Sequence, residues 1–384
     1  MTTLAESYDA LLLDLDGTVY LGGEPIEHVA PALVIAKEQG TRSVFVTNNA
    51  SRPPAEVAAA LSGMGVTANP DDVLTSPQVA AVMLADRHPA GTRVLVIGAP
   101  WLAQSVTDAG LVPVRLASDQ AAAVVQGHSP ETGWRELAEA CITLRTGADW
   151  VACNVDSTLP TDRGLLPGNG AMVAALVAAT GLQPRVAGKP ARPLLDTAVR
   201  LASAQRPLVV GDRLDTDIAC AVAADEPSLL VLTGVSTAAD LLAADPAERP
   251  TFLAFDLRGL VDDSRAVRIP DVDAATPWPS WSVTVDEKTL VLAWTKSDPA
   301  GDQHSGEQGS GEQDSGDQAS DSTSASDSTS ASDSTAVSDG TALQALAALT
   351  AAAWATELTA VRSADPVAAA ALARSGLSEA VTQI

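Results

Sequence analysis

Aromatic side chains are scarce in this chain, with three Phe, two Tyr and seven Trp among 384 residues. Few rings are therefore on hand to stack against a large flat ligand. Positive charge is short as well, 23 Lys and Arg against 48 Asp and Glu, for a formal net charge of −25. Such a chain repels nucleic acid and anionic membranes, and neither is an expected partner. The three cysteines, Cys141, Cys153 and Cys220, are odd in number and unpatterned. They exclude a disulfide framework and suit buried thiols in a reducing compartment. No apolar run approaches the ~20 residues of a membrane span. Met1 to Ser7 is polar, without a basic region leading into an apolar one, so no secretory signal is expected. The expected location is cytoplasmic. The length exceeds what a single core accommodates, which predicts two or three domains.

What is present begins with Asp14-Leu15-Asp16-Gly17-Thr18, directly after the apolar run Ala10-Leu11-Leu12-Leu13. Residues two apart at the exit of a buried strand share a face, so both acids can look into one crevice. In open parallel α/β sheets, ligands bind outside the carboxyl ends of the strands. Gly17 permits a sharp turn, and Thr18 can satisfy freed backbone groups. Taken alone, these five residues also fit a solvated Asp-Gly turn.

Three later segments extend the pattern. Ser43 to Val46 reads as a second buried strand and runs into Thr47-Asn48-Asn49-Ala50-Ser51. Gly188-Lys189-Pro190 sets one of only four lysines in a Gly/Pro-framed loop. Pro207 to Val210 is a third strand, ending in Gly211-Asp212-Arg213-Leu214-Asp215-Thr216-Asp217. In order, these supply an acid pair, a hydroxyl/amide pair, a lone cation and a second acid group. Separately, Thr47-Asn48 could be a helix cap, Lys189 a solvated loop residue and Asp212 a turn acid. Asp215 reads as solvated.

The four segments match, in type and order, the motifs of the haloacid dehalogenase superfamily. The chain resembles the phosphatases of its subfamily IIA over roughly residues 6 to 262. That resemblance implies an α/β fold, with a Rossmann-like parallel-sheet core in two parts, 1–81 and 185–262. An α/β cap domain, 82–184, would be inserted between them, and a small α+β module, 263–384, would follow. The sequence pattern agrees, because about 140 residues separate the second and third motifs. Strands Arg93 to Ile97, Ala123 to Val125 and Trp150 to Cys153 lie in that gap, with a helix from Pro100 to Gly110. Helices are expected from Pro31 to Gln39 and from Pro53 to Gly63, and a flap from Val19 to Pro25 turning at Gly22-Gly23.

The implied chemistry suits the residue types. A phosphate monoester is a dianion, and Asp14, Asp16, Asp212 and Asp217 crowd further negative charge around it. A hard divalent cation offsets both. The resemblance implies Mg²⁺ held by the carboxylates of Asp14 and Asp212 and the backbone carbonyl of Asp16, with Asp217 one step further out. It makes Asp14 the nucleophile that forms an aspartyl-phosphate. Asp16 would protonate the leaving alkoxide and then activate water. Thr47 and the Asn48-Asn49 amides would hold phosphoryl oxygens, and Lys189 would offset charge in the transition state.

The expected substrate is a small phosphorylated metabolite, glycerol 3-phosphate first and phosphoglycolate next. Other sugar, nucleotide or pyridoxal phosphates follow, the last disfavoured because no histidine stands near Leu159. A silent phosphometabolite-binding module and a phosphotransferase are the alternatives, and a homodimer is left open. Asn154 and Asp156 are the cap candidates for substrate contact, in Asn154-Val155-Asp156 where the family usually has Asn-Pro-Asp; turn caps would look the same. His128 reads as a half-exposed loop residue and Trp134 as part of the cap interior.

From Ser297 to Gly340 there are ten acids and no Lys or Arg, with short repeats of the type Asp-Ser-Thr-Ser-Ala-Ser. Repeats this short bury no core, so a disordered acidic linker is expected over 297–340. Around it, Trp281 to Val285 and Thr289 to Trp294 read as a hairpin, and Thr341 to Ala360 and Asp365 to Ser375 as helices. Actinobacterial members of the subfamily carry a similar extension that looks like a reduced acetyltransferase fold. No Gly-rich loop is present to hold an acyl-CoA pyrophosphate, so acetyl transfer is not expected.

Overall fold

The computed structural model describes residues 2–161, 163–270, 280–295 and 337–377. Its largest sheet has seven strands, in the order Ala266–Arg268, Phe252–Ala254, Ser228–Val231, Pro207–Gly211, Ala10–Leu13, Arg42–Thr47 and Val73–Thr75. All pairings are parallel except that of the edge strand Ala266–Arg268. Ala10–Leu13 lies in the interior of the sheet with all four residues buried, as a continuous apolar run should in a sheet covered on both faces.

A second, five-stranded parallel sheet is built from Arg185–Val186, Asp149–Ala152, Ala123–Gln126, Arg93–Ile97 and Val112–Val114. Helix Ser76–Ala85 links the two sheets, so the expected boundary after residue 81 falls inside a helix. At the other end, Arg185–Val186 pairs with Asp149–Ala152, which carries the second sheet past the expected boundary at 184. One apolar cluster contains Leu12, Val44 and Val46 from the large sheet with Val96, Val125 and Val151 from the small one. The two sheets therefore share a core, and burial across the link opposes hinging.

The expected helices form over Val29–Glu38, Pro54–Gly63 and Pro100–Asp108. The second ends at Gly63 as expected, but Gly65 rather than Gly63 takes the left-handed conformation. The flap Tyr20–Leu21 and Glu24–Pro25 turns at Gly22 (φ +60°) and Gly23 (φ +91°). Trp134 departs from expectation. It is 81% exposed at the start of helix Trp134–Arg145, because that helix turns Ala140, Thr143 and Leu144 inward.

The hairpin Trp281–Asp286 with Thr289–Trp294 gains a third strand, Val361–Ser363, too short for its alternation to be read beforehand. Helices Asp339–Thr356 and Pro366–Arg374 complete this layer. Leu346 and Trp354 join one apolar cluster with Leu230, Leu241 and Leu253, which fastens the layer to the large sheet's side. The expected acidic linker lies outside the described residues from 297 to 336. Its last residues depart from expectation: Ser338 caps the helix that starts at Asp339, and the Asp339 carboxylate accepts from Arg265 at 2.7 Å and Arg374 at 2.7 Å. Two guanidinium partners recruit that acid into the fold. No helix among the described residues is long and apolar enough to cross a membrane.

Candidate active site

Register brings the polar clusters together. Leu13 pairs with Val210 on one side and Phe45 on the other, so Asp14, Asp212 and Thr47 leave the sheet along one edge. Chain order reverses between Ala10–Leu13 and Pro207–Gly211. A crevice opens at such a reversal, and here it receives an acid from each strand.

Lys189 reaches into this crevice from the loop that returns from the small sheet. Its Nζ donates to Asp14 Oδ1 at 2.5 Å, to Asp217 Oδ1 at 2.6 Å and to the Val46 carbonyl at 3.3 Å. Lys189 is 5% exposed and Asp217 1%. Burial alone would lower the lysine's pKa, but the two carboxylates outweigh it and raise it, so the ammonium stays charged. Burial pushes the Asp14 carboxyl up to about 7; Lys189 opposes the rise, and Asp217 and Asp212 add to it. Asp212 is pushed up to about 6 by burial and by Asp217.

Asp212 is fixed by the Val235 N–H at 2.7 Å and the Thr18 hydroxyl at 3.4 Å. Gly17, at φ +91°, approaches it so closely that a Cβ there would overlap the carboxyl. Gly234 does the same from the loop after Ser228–Val231, a contribution that sequence reading missed although a glycine after a core strand was the available signal.

Carboxylate oxygens of Asp14, Asp212 and Asp217 all lie within 4.8 Å of one another. This oxygen-only donor set, with two carboxyls held up by crowding and burial, fits a hard divalent cation. Asp217 is committed elsewhere, because Oδ1 accepts from Lys189 and Oδ2 from the Arg213 N–H at 3.1 Å. Asp16 is exposed, and burial of part of its surface raises its carboxyl against a hydrogen bond from the Gly22 N–H and the charge of Arg213.

Other polar side chains brace the loops around the crevice. Asn48 grips the lysine loop: Oδ1 accepts the Lys189 N–H at 2.8 Å, and Nδ2 donates to the Lys189 carbonyl at 3.0 Å. Asn49 turns its Oδ1 to the Ser51 N–H at 2.9 Å, and the Thr47 hydroxyl accepts the Asn49 N–H at 3.0 Å. The Asn48 side chain thus braces the lysine loop, and Asn49 Oδ1 braces the turn that follows it. Asn154 donates to the Asn48 carbonyl at 2.8 Å and is itself 5% exposed, which makes it a tie between the sheets. Asp156 faces Asn48 Nδ2 at 3.3 Å, and its carboxyl is raised by burial. Asp215 is exposed but not merely solvated, since it clamps the Arg213 guanidinium at 3.0 and 2.8 Å. His128 is partly exposed, as expected, and burial lowers its pKa.

Residues 11–112 match the model of the haloacid dehalogenase-like hydrolases, and residues 186–260 match a HAD-hydrolase-like model. The chain is 52% identical over 285 residues to a D-glycerol 3-phosphate phosphatase of Mycobacterium tuberculosis, covering 74% of this chain and 78% of that protein. It is 35% identical over 248 residues to a 5'-nucleotidase of Bacillus subtilis, covering 64% of this chain and 94% of that one. In structure it is similar to the glycerol phosphate phosphatase of Mycobacterium tuberculosis crystallised in complex with magnesium. The TM-score is 0.80 at 42% identity, over 98% of this chain and 100% of that one. With its acid-tipped parallel sheet and this degree of identity, the chain belongs to the haloacid dehalogenase-like hydrolase family.

Proposed function

We propose that the protein is a Mg²⁺-dependent phosphomonoesterase that hydrolyses glycerol 3-phosphate through a phosphorylated Asp14. The observation that carries this reading is the ammonium of Lys189 lying 2.5 Å from Asp14 and 2.6 Å from Asp217, beside Asp212. A structural ion pair needs one carboxylate per cation. Three acids around one buried lysine leave negative charge that a cation and a phosphoryl group can share. The 52% identity to the mycobacterial glycerol 3-phosphate phosphatase favours that substrate.

Asp14 and Asp212 would hold Mg²⁺, together with the Asp16 backbone carbonyl. When bound, the ion offsets the charge of the carboxylates and of the substrate dianion. An Asp14 oxygen forms a bond to phosphorus as the bond from phosphorus to the ester oxygen breaks. Asp16 gives its proton to the departing alkoxide. It then takes a proton from water, whose oxygen attacks phosphorus and releases the Asp14 carboxylate. Lys189 keeps its proton throughout and offsets the charge on the phosphoryl oxygens, while Asp217 holds the ammonium in line. The Thr47 hydroxyl, 7% exposed, stands at the same edge for a phosphoryl oxygen. We read the five-stranded unit as a cap domain, and assign the protein to the cytoplasm.

The test is release of inorganic phosphate from glycerol 3-phosphate with and without Mg²⁺. Turnover that requires the ion and vanishes in Asp14→Asn supports the reading. Metal-independent turnover, or activity retained in Asp14→Asn, sinks it.

A further inference from the structure

Three asparagines stand in line between the two sheets. Asn169 opens helix Asn169–Thr180 of the small-sheet unit and is 1% exposed. Its Nδ2 donates to the Asn154 carbonyl at 2.6 Å. Asn154 Nδ2 donates in turn to the Asn48 carbonyl at 2.8 Å. That carbonyl also accepts from Ser76 Oγ at 2.7 Å, so both its lone pairs are used and the Asn48 peptide is fixed. The Asn48 side chain then takes hold of the Lys189 N–H and carbonyl, at 2.8 and 3.0 Å.

Close packing transmits this geometry. Gly168 and Gly170 let the loop after Asn154 lie directly on the start of the helix. A Cβ on Gly168 would overlap the Asp156 carbonyl oxygen, and one on Gly170 that of Val155. Gly188, next to the lysine, is pressed between Asn48 Oδ1 and the Cys153 carbonyl, which accepts its N–H at 2.8 Å. The lysine loop therefore rests on the large sheet at Asn48 and on the small sheet at Cys153. The three linked side chains are neutral. An amide offers a donor and an acceptor without competing with Lys189 for Asp14 and Asp217, which its ammonium meets at 2.5 and 2.6 Å.

We propose that Asn154 and Asn169 are positioning residues for Lys189, and that through Asn48 they bring its ammonium into line only when the five-stranded unit is seated on the large sheet. This rests on the reading given above and deepens it, since it makes the phosphoryl-facing cation dependent on a unit other than the one that carries Asp14. Lys189 acts on the phosphoryl group, which every substrate shares, so a slack line slows all phosphate esters alike. A side chain that touched the leaving group would instead discriminate among them.

The experiment measures kcat and KM of the full chain with Mg²⁺ on glycerol 3-phosphate and 4-nitrophenyl phosphate, beside hydrogen exchange of the segment 187–192. Asn154→Asp, assayed with the carboxyl ionised, keeps the acceptor that holds the Asp156 N–H at 3.4 Å but loses the donor to Asn48. It therefore rescues a mere turn role and not a positioning role. Expected in Asn154→Asp and in Asn169→Ala is a kcat lowered about five- to fiftyfold, equally on both esters, with KM changed less than about twofold. Exchange at 187–192 should rise in both variants, although neither residue lies in that segment. Adding Asn154→Asp to Asn48→Ala should slow turnover no more than about twofold further, because the route to Lys189 is already cut. Losses that multiply, a loss confined to one ester, or wild-type kcat and exchange in Asn169→Ala overturn the proposal. Wild-type turnover of 4-nitrophenyl phosphate alone refutes the substrate reading only, and the kinetic comparison is then decided on that ester. If the wild type hydrolyses neither, the functional reading fails and the exchange data decide the coupling by themselves.

Discussion

The side chain of Asn48 holds both backbone polar groups of Lys189, accepting its N–H at 2.8 Å and donating to its carbonyl at 3.0 Å across 141 residues of sequence. The lysine's ammonium can bridge Asp14 and Asp217 only while that loop stays in register with the end of Arg42–Thr47. Asn48→Ala removes both bonds and leaves two partly buried backbone groups without partners, at a cost of about 1–3 kcal/mol. The expected result is a lower Tm and a kcat reduced about ten- to a hundredfold, since misplacing a charged group by a fraction of an ångström weakens transition-state contacts. Thermal melts and steady-state kinetics would check both; an unchanged kcat would mean the clamp has no catalytic consequence.

Asp14→Asn should abolish phosphate release, by about a thousandfold or more, because an amide cannot serve as the nucleophile. The fold should survive, since removing one of three crowded acids relieves repulsion within the cluster. Phosphate release measured beside a melting curve separates loss of chemistry from loss of structure.

Metal-dependent stability should vary with pH in a defined direction. Burial and neighbouring acids raise Asp14 to about 7 and Asp212 to about 6, above the ~4 of an unfolded carboxyl. A raised carboxyl favours the folded state at low pH, and without metal that advantage is lost as pH rises from about 4 to about 7. Mg²⁺ competes with the protons for the same oxygens. Its stabilising effect on Tm is therefore expected to be large at pH 8 and small at pH 5.5. Equal shifts at both values would contradict the assignment of these two carboxylates as ligands.

Gly17→Ala should damage the site from behind. The position is left-handed at φ +91°, and the added methyl would overlap the Asp212 carboxyl. Left-handed strain costs about 1–2 kcal/mol, and displacement of Asp212 should weaken Mg²⁺ binding in addition. Calorimetric titration of Mg²⁺ into wild type and variant would detect it.

Asp149 offers a test unconnected with catalysis. Its Oδ2 accepts from Arg185 at 2.6 Å, with Arg87 at 3.3 Å and His88 at 3.4 Å, tying together both chain segments that cross between the sheets. Burial opposes the charge, yet these partners win and lower its pKa. A lowered carboxyl stabilises the fold above the ordinary carboxylate range, and loses that effect as pH falls through the lowered value. Asp149→Asn should cost about 1 kcal/mol at pH 7 and almost nothing near pH 2, as paired denaturation curves would reveal.

Legibility followed local physics. Apolar runs ending in Asp14, Thr47 and Asp212 could be read directly, because a buried parallel strand must be apolar and a crevice at its exit must be polar. Asn48 was legible as a polar residue at that edge but not as the clamp on Lys189, since nothing local to either residue specifies a partner 141 positions away. The boundaries expected at 81 and 184 fall within helix Ser76–Ala85 and just before strand Arg185–Val186. A helix shared by two sheets, and a two-residue strand added to the second, leave no local punctuation.

Sequence by itself determined which chemistry was available here: acids, a lone lysine and hydroxyl groups, each carried to the end of a strand by short-range patterning. Only the tertiary structure decided their assignments. It turned Asn48 and Asn154 into ties between loops, Asp215 into the clamp on Arg213, and Asp339 from a linker acid into an anchor for two arginines. Hydrogen bonds and ion pairs between residues distant in the chain exist only once packing has brought their partners within about 3 Å.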